Sequence, residues 1–166
     1  MPGMKSALID SPILLDDCRE HFEQMKSYKP VYRFVSYHWD QSTNQVGVHK
    51  AGLTGQASYQ DFLETFPAND PAWCSLNFQY RTKDGGKRNK LVFVHWCPND
   101  LVRDTLKESA YVKMMSLSCM GALKKQLDGT VCFVQADDLE GVQYETILEK
   151  VSRHEREPID YDWREE

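Results

Sequence analysis

The sequence predicts an α/β protein of the α+β kind, a single domain in which helices flank both faces of a central mixed sheet of about five strands. Helical and extended segments follow one another in the order α-β-β-α-β-β-α-β-α, which favours this arrangement. Residues 91–96 are almost wholly apolar, as expected of a strand that is covered on both faces. Residues 104–127 contain no proline and one glycine, which predicts one long helix.

Composition and charge exclude several classes of protein. A chain of 166 residues suits one domain that buries its own core, and a formal net charge of −5 disfavours a dedicated nucleic-acid binder. No apolar run is long enough to span a bilayer, and the first ten residues are too polar for a secretory signal. Five scattered cysteines in apolar contexts, without CxxC pairs or zinc spacing, indicate reduced thiols in a cytoplasmic protein without a bound metal.

The first half of the chain predicts two helices and a hairpin. Residues 1–10 are interpreted as a loose N-terminal extension. Apolar residues at helical spacing predict a first helix over residues 14–27, with Asp16 and Asp17 in the first turn, where the helix dipole favours negative charge. A polar turn at residues 40–44 joins a predicted strand at 32–39 to a second predicted strand at 45–50. A loop at 52–55 then leads to a short predicted helix at 58–66.

The second half predicts three strands and two helices. A third strand at residues 73–80 is followed by a basic, glycine-containing turn at 83–90 and by the apolar fourth strand. After the long helix, which stops at Gly129, we expect a fifth strand, a last helix capped by aspartates, and an acidic tail. These three segments are residues 130–135, 139–153 and 154–166, so the folded domain is expected to span residues 11–153.

The long helix is a candidate for contact with a partner. Its apolar residues wrap most of the circumference instead of forming one stripe. Such a helix is buried on several sides, or it packs a core with one face and offers another face to a partner. Lys113, Lys124 and Lys125 interrupt it as isolated cations. The alternative interpretation is a core helix with a few solvated lysines.

No catalytic motif is present in the sequence. It lacks the phosphate-binding patterns GxxxxGK[ST] and GxGxxG, the nucleophile pattern GxSxG and the zinc pattern HExxH. His95 lies in an apolar strand and could serve as a ligand or base, although a packed histidine is the commoner outcome. We therefore expect a protein that is not an enzyme and that needs no cofactor.

Three groups of charged residues predict a protein-binding surface. They are the basic turn at residues 87–90, the lysines of the long helix, and the end of the last helix at 149–153. Each has an ordinary alternative, namely a solvated hairpin tip, solvated helix lysines, or cations that the helix dipole favours. On an acidic molecule, separate basic points steer an acidic partner and set its register more than they raise affinity.

Six segments of the sequence together resemble one known family. In chain order they read LDDCREHFEQMK, YRFVSYHWD, SYQDFLETFP, YRTKDGGKRNKLVFVHWCPND, KM with ALKKQLDG, and VQADDLEGVQYETILEKVSR. On these matches, which are collinear over residues 11–153, the chain resembles the actin-depolymerising factor/cofilin family and its ADF-homology domain. The resemblance implies a central mixed sheet of about five strands between helices, in agreement with the order of elements above.

The resemblance also implies an activity and partners. Members of the family bind actin monomers and filaments, prefer the ADP form, twist and sever filaments, and speed the loss of subunits. By this resemblance we expect a monomeric protein of the cytoplasm and the actin cytoskeleton. Phosphoinositide headgroups compete for the same basic surfaces in the family, which adds a possible lipid ligand.

Two actin-binding surfaces are implied in the same way. One combines the N-terminal segment with the long helix and serves both monomers and filaments, whereas the other serves filaments alone. The residues expected in the first surface are Ser11, Lys113, Met114, Lys124 and Lys125. The residues expected in the filament surface are Arg88, Lys90, Glu149, Lys150 and Arg153.

The chain departs from the family pattern in three places. Between the fourth strand and the end of the long helix it is longer by roughly seven residues, about two helical turns. This places an insertion near residues 101–111 or, if Val102–Arg103 matches the family's Val-Arg, further downstream. Residues 116–121 read SLSCMG where the family has YASSKD, so a basic and an acidic residue are lost. The family's regulatory Ser-Gly near the start is absent, and Ser11, which lies close to that place, is followed by Pro12.

Two alternatives stay open at this point. A divergent ADF-homology protein, similar to coactosin or glia maturation factor, would decorate filaments or debranch networks without severing. An enzyme or small-ligand carrier on a similar sheet would need a deep pocket that contains His95, Trp96 and a carboxylate.

Overall fold

Within residues 11–153 and 158–159, which the computed structural model describes, the chain forms seven strands and four helices. The strands β1 to β7 are Ile13–Leu14, Tyr32–Asp40, Gln45–Leu53, Ala72–Thr82, Lys87–Trp96, Cys132–Ala136 and Pro158–Ile159. The helices α1 to α4 are Asp16–Met25, Tyr59–Leu63, Leu106–Gln126 and Tyr144–Val151, with a 3₁₀ turn at Leu139–Val142 before α4. The predicted N-terminal extension and most of the predicted acidic tail lie outside the described residues.

The strands form one mixed sheet in the order β1-β3-β2-β4-β5-β6, with β7 beside β4. The central pairs, β3 with β2, β2 with β4 and β4 with β5, are antiparallel, whereas β1 runs parallel to β3 and β6 runs parallel to β5. The five longer strands confirm the predicted mixed sheet. The two-residue strands β1 and β7 add one pairing each, and β7 sets Pro158–Ile159 antiparallel to Arg81–Thr82.

Helices cover both faces of the sheet, as the sequence predicts. Because successive residues of a strand point to opposite faces, β5 sends Val92 to one side and Phe93 to the other. On the side of Val92, α2 contributes Phe62 and α4 contributes Ile147. On the side of Phe93, α1 contributes Phe22 and α3 contributes Leu123. We refer to these two sides as the α4 side and the α3 side.

The long helix α3 runs without a break over 21 residues, about 31 Å. The Thr105 hydroxyl accepts a hydrogen bond of 3.1 Å from the Glu108 amide and caps its first turn. Its buried residues form one stripe, which consists of Ser109, Val112, Met115, Ser116, Cys119 and Leu123. Burial on several sides, the first expectation for this helix, is therefore wrong: one face packs the core and another faces outward, and contact of that outward face with a partner stays a prediction.

The basic turn is shorter than predicted. It is confined to residues 83–86, and Lys87 already begins β5, because main-chain pairing with β4 extends as far as Arg81 opposite Lys87. Gly85 adopts a φ of +87°, the left-handed conformation that closes a tight hairpin turn at low cost. Arg88 and Lys90 are consequently strand residues and not turn residues.

The predicted last helix consists of two elements. The Asp138 carboxylate accepts a hydrogen bond of 3.2 Å from the Gly141 amide and caps the 3₁₀ turn. Gln143 then takes an extended backbone, with φ −64° and ψ 153°, so the 3₁₀ turn ends before α4 begins. Arg153 lies beyond the C-terminal end of α4.

Candidate functional site

The outward face of α3 combines apolar and cationic side chains. Met114 and Leu117 are 44% and 51% exposed. Lys113, Leu117 and Lys124 are spaced by four and seven residues, so they share one face of the helix, outside the buried stripe. We define the α3 outward face by Lys113, Met114, Leu117, Gly121, Lys124 and Lys125. Leu117 is absent from the residues expected from the sequence, although its helical spacing from Lys113 and Lys124 was a usable signal.

A groove of about 660 Å³ separates this face from the N-terminal segment. Its lining includes Ser11, Pro12, Leu15, Arg19, Gly121 and Lys125. Ser11 is held in place because the Asn44 amide side chain donates to its carbonyl oxygen at 3.2 Å, and Ile13 N donates to the Asn44 carbonyl at 2.9 Å. The fold thus brings Ser11 and Lys125, two residues expected in one surface, to the same groove.

The two consecutive lysines at the end of α3 point to different neighbours. The Lys124 ammonium lies 4.4 Å from the centroid of the Phe133 ring on β6, a cation–π contact. Lys125 instead lines the groove beside the N-terminal segment. Consecutive helical residues lie about 100° apart around the axis. The two lysines therefore lie at the two edges of the α3 outward face, and their charges are not side by side. The sequence pattern did not single out Phe133.

The second group of charged residues lies on the α4 side. Arg88 and Lys90 continue the row of β5 residues whose buried members on this side are Val92, Val94 and Trp96. They pair with Tyr80 and Phe78 of β4, which also face this side. The α4 helix is fixed over the same strands, because the Tyr144 ring stacks on Phe78 at 4.8 Å between centroids. Arg88 and Lys90 therefore lie on the sheet face that α4 covers.

The end of α4 completes this group. Glu149 and Lys150 lie in its last turn, and Arg153 follows just after it. Burial raises the pKa of the Cys132 thiol, and the positive charges of Lys150 and Arg153 oppose that rise, so both cations lie near Cys132. Cys132 is the register partner of Val92, two residues along β5 from Lys90. We define the α4-side basic surface by Arg88, Lys90, Lys150 and Arg153.

His95 and Trp96, the pair that an enzyme would need in one pocket, lie on opposite faces of the sheet. On the α3 side, the His95 ring stacks on Trp73 with 6.4 Å between centroids, and its Nε2 lies 3.1 Å from the Ser116 hydroxyl. Burial, with a smaller contribution from the charge of Lys124, lowers the pKa of His95 to about 4. On the α4 side, Trp96 Nε1 donates to the Pro67 carbonyl at 2.7 Å. A cavity of about 460 Å³ beside His95 reaches Asp137 but not Trp96.

The loop before α3, where the sequence suggests an insertion, is clamped to the loop before β4. Arg103 and Asp70 form an ion pair with 2.5 Å between nitrogen and oxygen. Val102 N donates to the Asn69 side chain at 2.9 Å, and the Asn69 amide donates back to the Val102 carbonyl at 3.2 Å. Leu101 is buried, so this loop packs against the rest of the domain.

Residues 11–153 and 158–159 meet neither the requirements of a metal site nor those of a membrane-spanning helix. No group of three or more histidine, cysteine, aspartate or glutamate side chains in this part of the chain is placed to hold a metal ion. Among the same residues, no helix has both the length and the apolar character that a membrane crossing requires.

Comparison with known proteins agrees with these features. The family described as "Cofilin/tropomyosin-type actin-binding protein" matches residues 13–152. The chain is 31% identical over 137 residues to a cofilin of Mycosarcoma maydis, a match that covers 82% of this chain and 91% of that protein. It is 30% identical over 137 residues to actin-depolymerizing factor 9 of Arabidopsis thaliana, with the same two coverages.

Comparison of the fold with solved structures also finds a cofilin. The cofilin of Streptomyces griseoflavus superposes with a TM-score of 0.72 at 29% identity, covering 84% of this chain and 96% of that structure. The family match at residues 13–152 includes strands β1 to β6, α3 and α4. The chain therefore belongs to the cofilin/actin-depolymerising factor family, a family of actin-binding proteins and not of enzymes.

Proposed function

We propose that this protein binds actin monomers and filaments and promotes filament severing and depolymerisation. The observation that carries the proposal is the placement of two separate charged surfaces on opposite sides of one sheet. The α3 outward face and its groove lie on one side, and the α4-side basic surface lies on the other. A molecule built in this way can contact two neighbouring subunits of a filament at once.

In this proposal the α3 outward face contacts one actin subunit. Met114 and Leu117 supply exposed apolar area, and Lys113, Lys124 and Lys125 surround it with positive charge. Apolar contacts would provide affinity, whereas the exposed cations would set orientation and speed association. Because this surface needs only one subunit, it would serve monomers and filaments alike.

The α4-side basic surface would then contact the adjacent subunit. Arg88, Lys90, Lys150 and Arg153 would face acidic groups of that subunit, and Glu149 beside them would exclude acidic groups in the wrong register. An isolated monomer offers no second subunit, so this surface would contribute to filament binding alone.

Severing would follow from differential binding. A protein that binds a twisted filament state more tightly than the relaxed state shifts the filament toward twist. Boundaries between decorated and bare segments then carry the mechanical mismatch, and filaments break there.

The proposal is tested by fluorescence microscopy of single actin filaments with the purified protein, in which breaks per length are scored against protein concentration. We expect breaks that are most frequent at partial decoration, because boundaries are then most numerous. Absence of any effect on filaments, together with absence of monomer binding, would contradict the proposal.

A second candidate is filament decoration without severing, in the manner of a coactosin-like or glia maturation factor-like protein. The observation in its favour is the changed stretch of α3, where Met120 and Gly121 stand in place of the family's lysine and aspartate. Gly121 lies on the α3 outward face, so the loss removes charge from that face. Decoration without breaks in the same experiment would favour this candidate.

We also propose that the protein acts as a monomer in the cytoplasm, on the actin cytoskeleton. Phosphoinositide headgroups would compete with actin for the lysines and arginines of both surfaces. Co-sedimentation with vesicles that contain phosphatidylinositol bisphosphate, with and without added actin, would test this competition.

A further inference from the structure

We propose that residues 160–166 dock on the basic β4–β5 hairpin of the same molecule and compete there with the acidic partner of Arg88 and Lys90. This inference rests on the proposed function, because the competing partner is the second actin subunit. The occupant is defined by its sequence, DYDWREE, which carries four carboxylates and one arginine.

The segment starts directly at the hairpin. Strand β7 pairs Ile159 with Arg81 and Pro158 with Thr82, in antiparallel register. The same strand β4 pairs on its other side with β5, where Arg81 faces Lys87 and Tyr80 faces Arg88. The last described residue before the acidic segment is therefore two strands away from Lys87, about 10 Å.

The register of β7 sets which face of the sheet a continuation of that strand would reach. One further residue of β7 would place Asp160 opposite Tyr80, and residues directly opposite in a sheet project to the same face. Arg88 is also opposite Tyr80, so Asp160 and Arg88 would share the α4 side. Seven residues span at most about 23 Å, which is enough to cross β4 and reach Lys90.

Charge is distributed in a complementary way. Residues 81–90 contain five cations, Arg81, Lys83, Lys87, Arg88 and Lys90, against one acid, Asp84. Over residues 160–163 carboxylates alternate with aromatic residues, so an extended chain would present Asp160 and Asp162 on one face and Tyr161 and Trp163 on the other. Both kinds of side chain bind cations, through ion pairs and cation–π contacts respectively.

Because the segment is covalently joined to its binding site, weak contacts are sufficient to keep it docked. Exposed ion pairs are individually weak and screened by salt. A segment joined directly to its binding site, however, has an effective concentration in the millimolar range. Docking of this kind would be substantially occupied at low salt, and a filament would have to displace it.

The first test needs no actin. In the full chain we replace the four carboxylates of the segment (D160N, D162N, E165Q, E166Q) and measure backbone amide chemical shifts. We expect shifts concentrated in residues 81–90 and reproduced in the unmodified protein by raising salt. A control variant with the same change in net charge (E64Q, D100N, D104N, D128N) should leave the hairpin amides in place. Unmoved hairpin amides in the first variant would overturn docking.

The second test measures competition by filament co-sedimentation. We expect the tail variant to bind filaments roughly three- to tenfold more tightly than the control variant at low salt, with the difference lost at high salt. Equal or weaker binding by the tail variant would overturn competition, because the segment would then be neutral or part of the interface. If neither the tail variant nor the control variant bound filaments, the proposed function and the proposed competition would both be wrong. The amide shifts of the first test would still show whether the segment docks on the hairpin.

Discussion

The Lys124 ammonium lies 4.4 Å from the centroid of the Phe133 ring, so the last turn of α3 is attached to the edge strand β6. Phe133 is half exposed, and its ring in turn lies 6.2 Å from that of the buried Phe93. One cation of the α3 outward face is therefore also a packing element of the fold. Lys125, one residue further on, has no such role among the described contacts and lines the groove.

This difference separates the effects of the two lysines. We expect Lys124→Ala with Lys125→Ala to weaken binding of both actin monomers and filaments by about tenfold, since each exposed charge contributes up to about 1 kcal/mol. Of the single variants, Lys124→Ala alone should lower the free energy of unfolding, by about 0.5 kcal/mol. Monomer titration and urea unfolding check the two effects, with Lys29→Ala as an exposed control. Unchanged monomer affinity in the double variant would assign the lysines to solvated surface.

Removal of the hairpin cations should affect filaments alone. We expect Arg88→Ala with Lys90→Ala to weaken filament co-sedimentation by about fivefold to tenfold and to leave monomer affinity unchanged, because both residues lie on the α4 side, away from the α3 outward face. Lys50→Ala, an exposed lysine of β3, is the matched control. Equal losses of monomer and filament affinity would contradict the division into two surfaces.

Negative charge at Ser11 should oppose monomer binding. Ser11 is exposed and shares its groove with Lys125, so a carboxylate there would neutralise part of the positive charge and fill space that a partner enters. We expect Ser11→Glu to lower monomer affinity by about tenfold, whereas Ser11→Ala should leave it within a factor of two. Equal affinities of the two variants would place the partner away from the groove.

Acid should destabilise the protein through His95. Its pKa is about 4 in the folded chain, because burial and the charge of Lys124 disfavour the imidazolium, and about 6.5 in an unfolded chain. The unfolded chain therefore binds the proton more readily. Stability from this residue is complete above pH 6.5 and is lost as the pH falls toward 4, on the order of 2 kcal/mol by pH 5.

Urea unfolding between pH 7 and 5 measures this loss. The His95→Gln variant retains a hydrogen-bonding group near Ser116 but cannot titrate, so its free energy of unfolding should fall less over the same range. Parallel slopes for the two proteins would contradict the assignment.

Two glycines should respond in opposite directions to alanine. Gly52, which the sequence places in a loop, lies inside β3, where an added Cβ would meet the Phe34 ring at 2.3 Å and the Ala57 Cβ at 2.7 Å. Gly121 lies in α3 with nothing within 4 Å of an added Cβ. We expect Gly52→Ala to cost about 2 to 3 kcal/mol by overpacking, and Gly121→Ala to add about 0.5 to 1 kcal/mol by helix propensity. Thermal unfolding measures both; a destabilised Gly121→Ala protein would point to a contact at this position.

The elements that the sequence predicts well are those with long hydrophobic patterns. Helix α3 and the strands β2 and β4 appear close to their predicted positions. For α3 the signal is the length of residues 104–127 without proline, and for the strands it is their run of alternating, aromatic or β-branched residues. Strand β5 ends at Trp96 as predicted but begins four residues earlier. The alternation of side chains along β5 also predicts where His95 and Trp96 lie relative to each other. His95 and Trp96 are consecutive strand residues, so their placement on opposite faces followed from the period of two.

The features that the sequence does not predict depend on pairing between distant segments. Asp84–Gly86 marks the centre of the hairpin, but the point where pairing begins, at Lys87, depends on β4 and is invisible locally. The two-residue strand Ile13–Leu14 likewise exists only because β3 supplies partners for it. The groove at Ser11 follows from that pairing, and no pattern within residues 11–15 indicates it.

The sheet that separates the α3 side from the α4 side has a mechanical consequence. Its interior is packed on both faces, and packed protein interiors are nearly incompressible. The molecule therefore acts as a rigid spacer: the distance between its two sides is set by its own core before any partner binds. Two bodies that bind to opposite sides of it must accept the spacing that it imposes, and any misfit has to be absorbed by them.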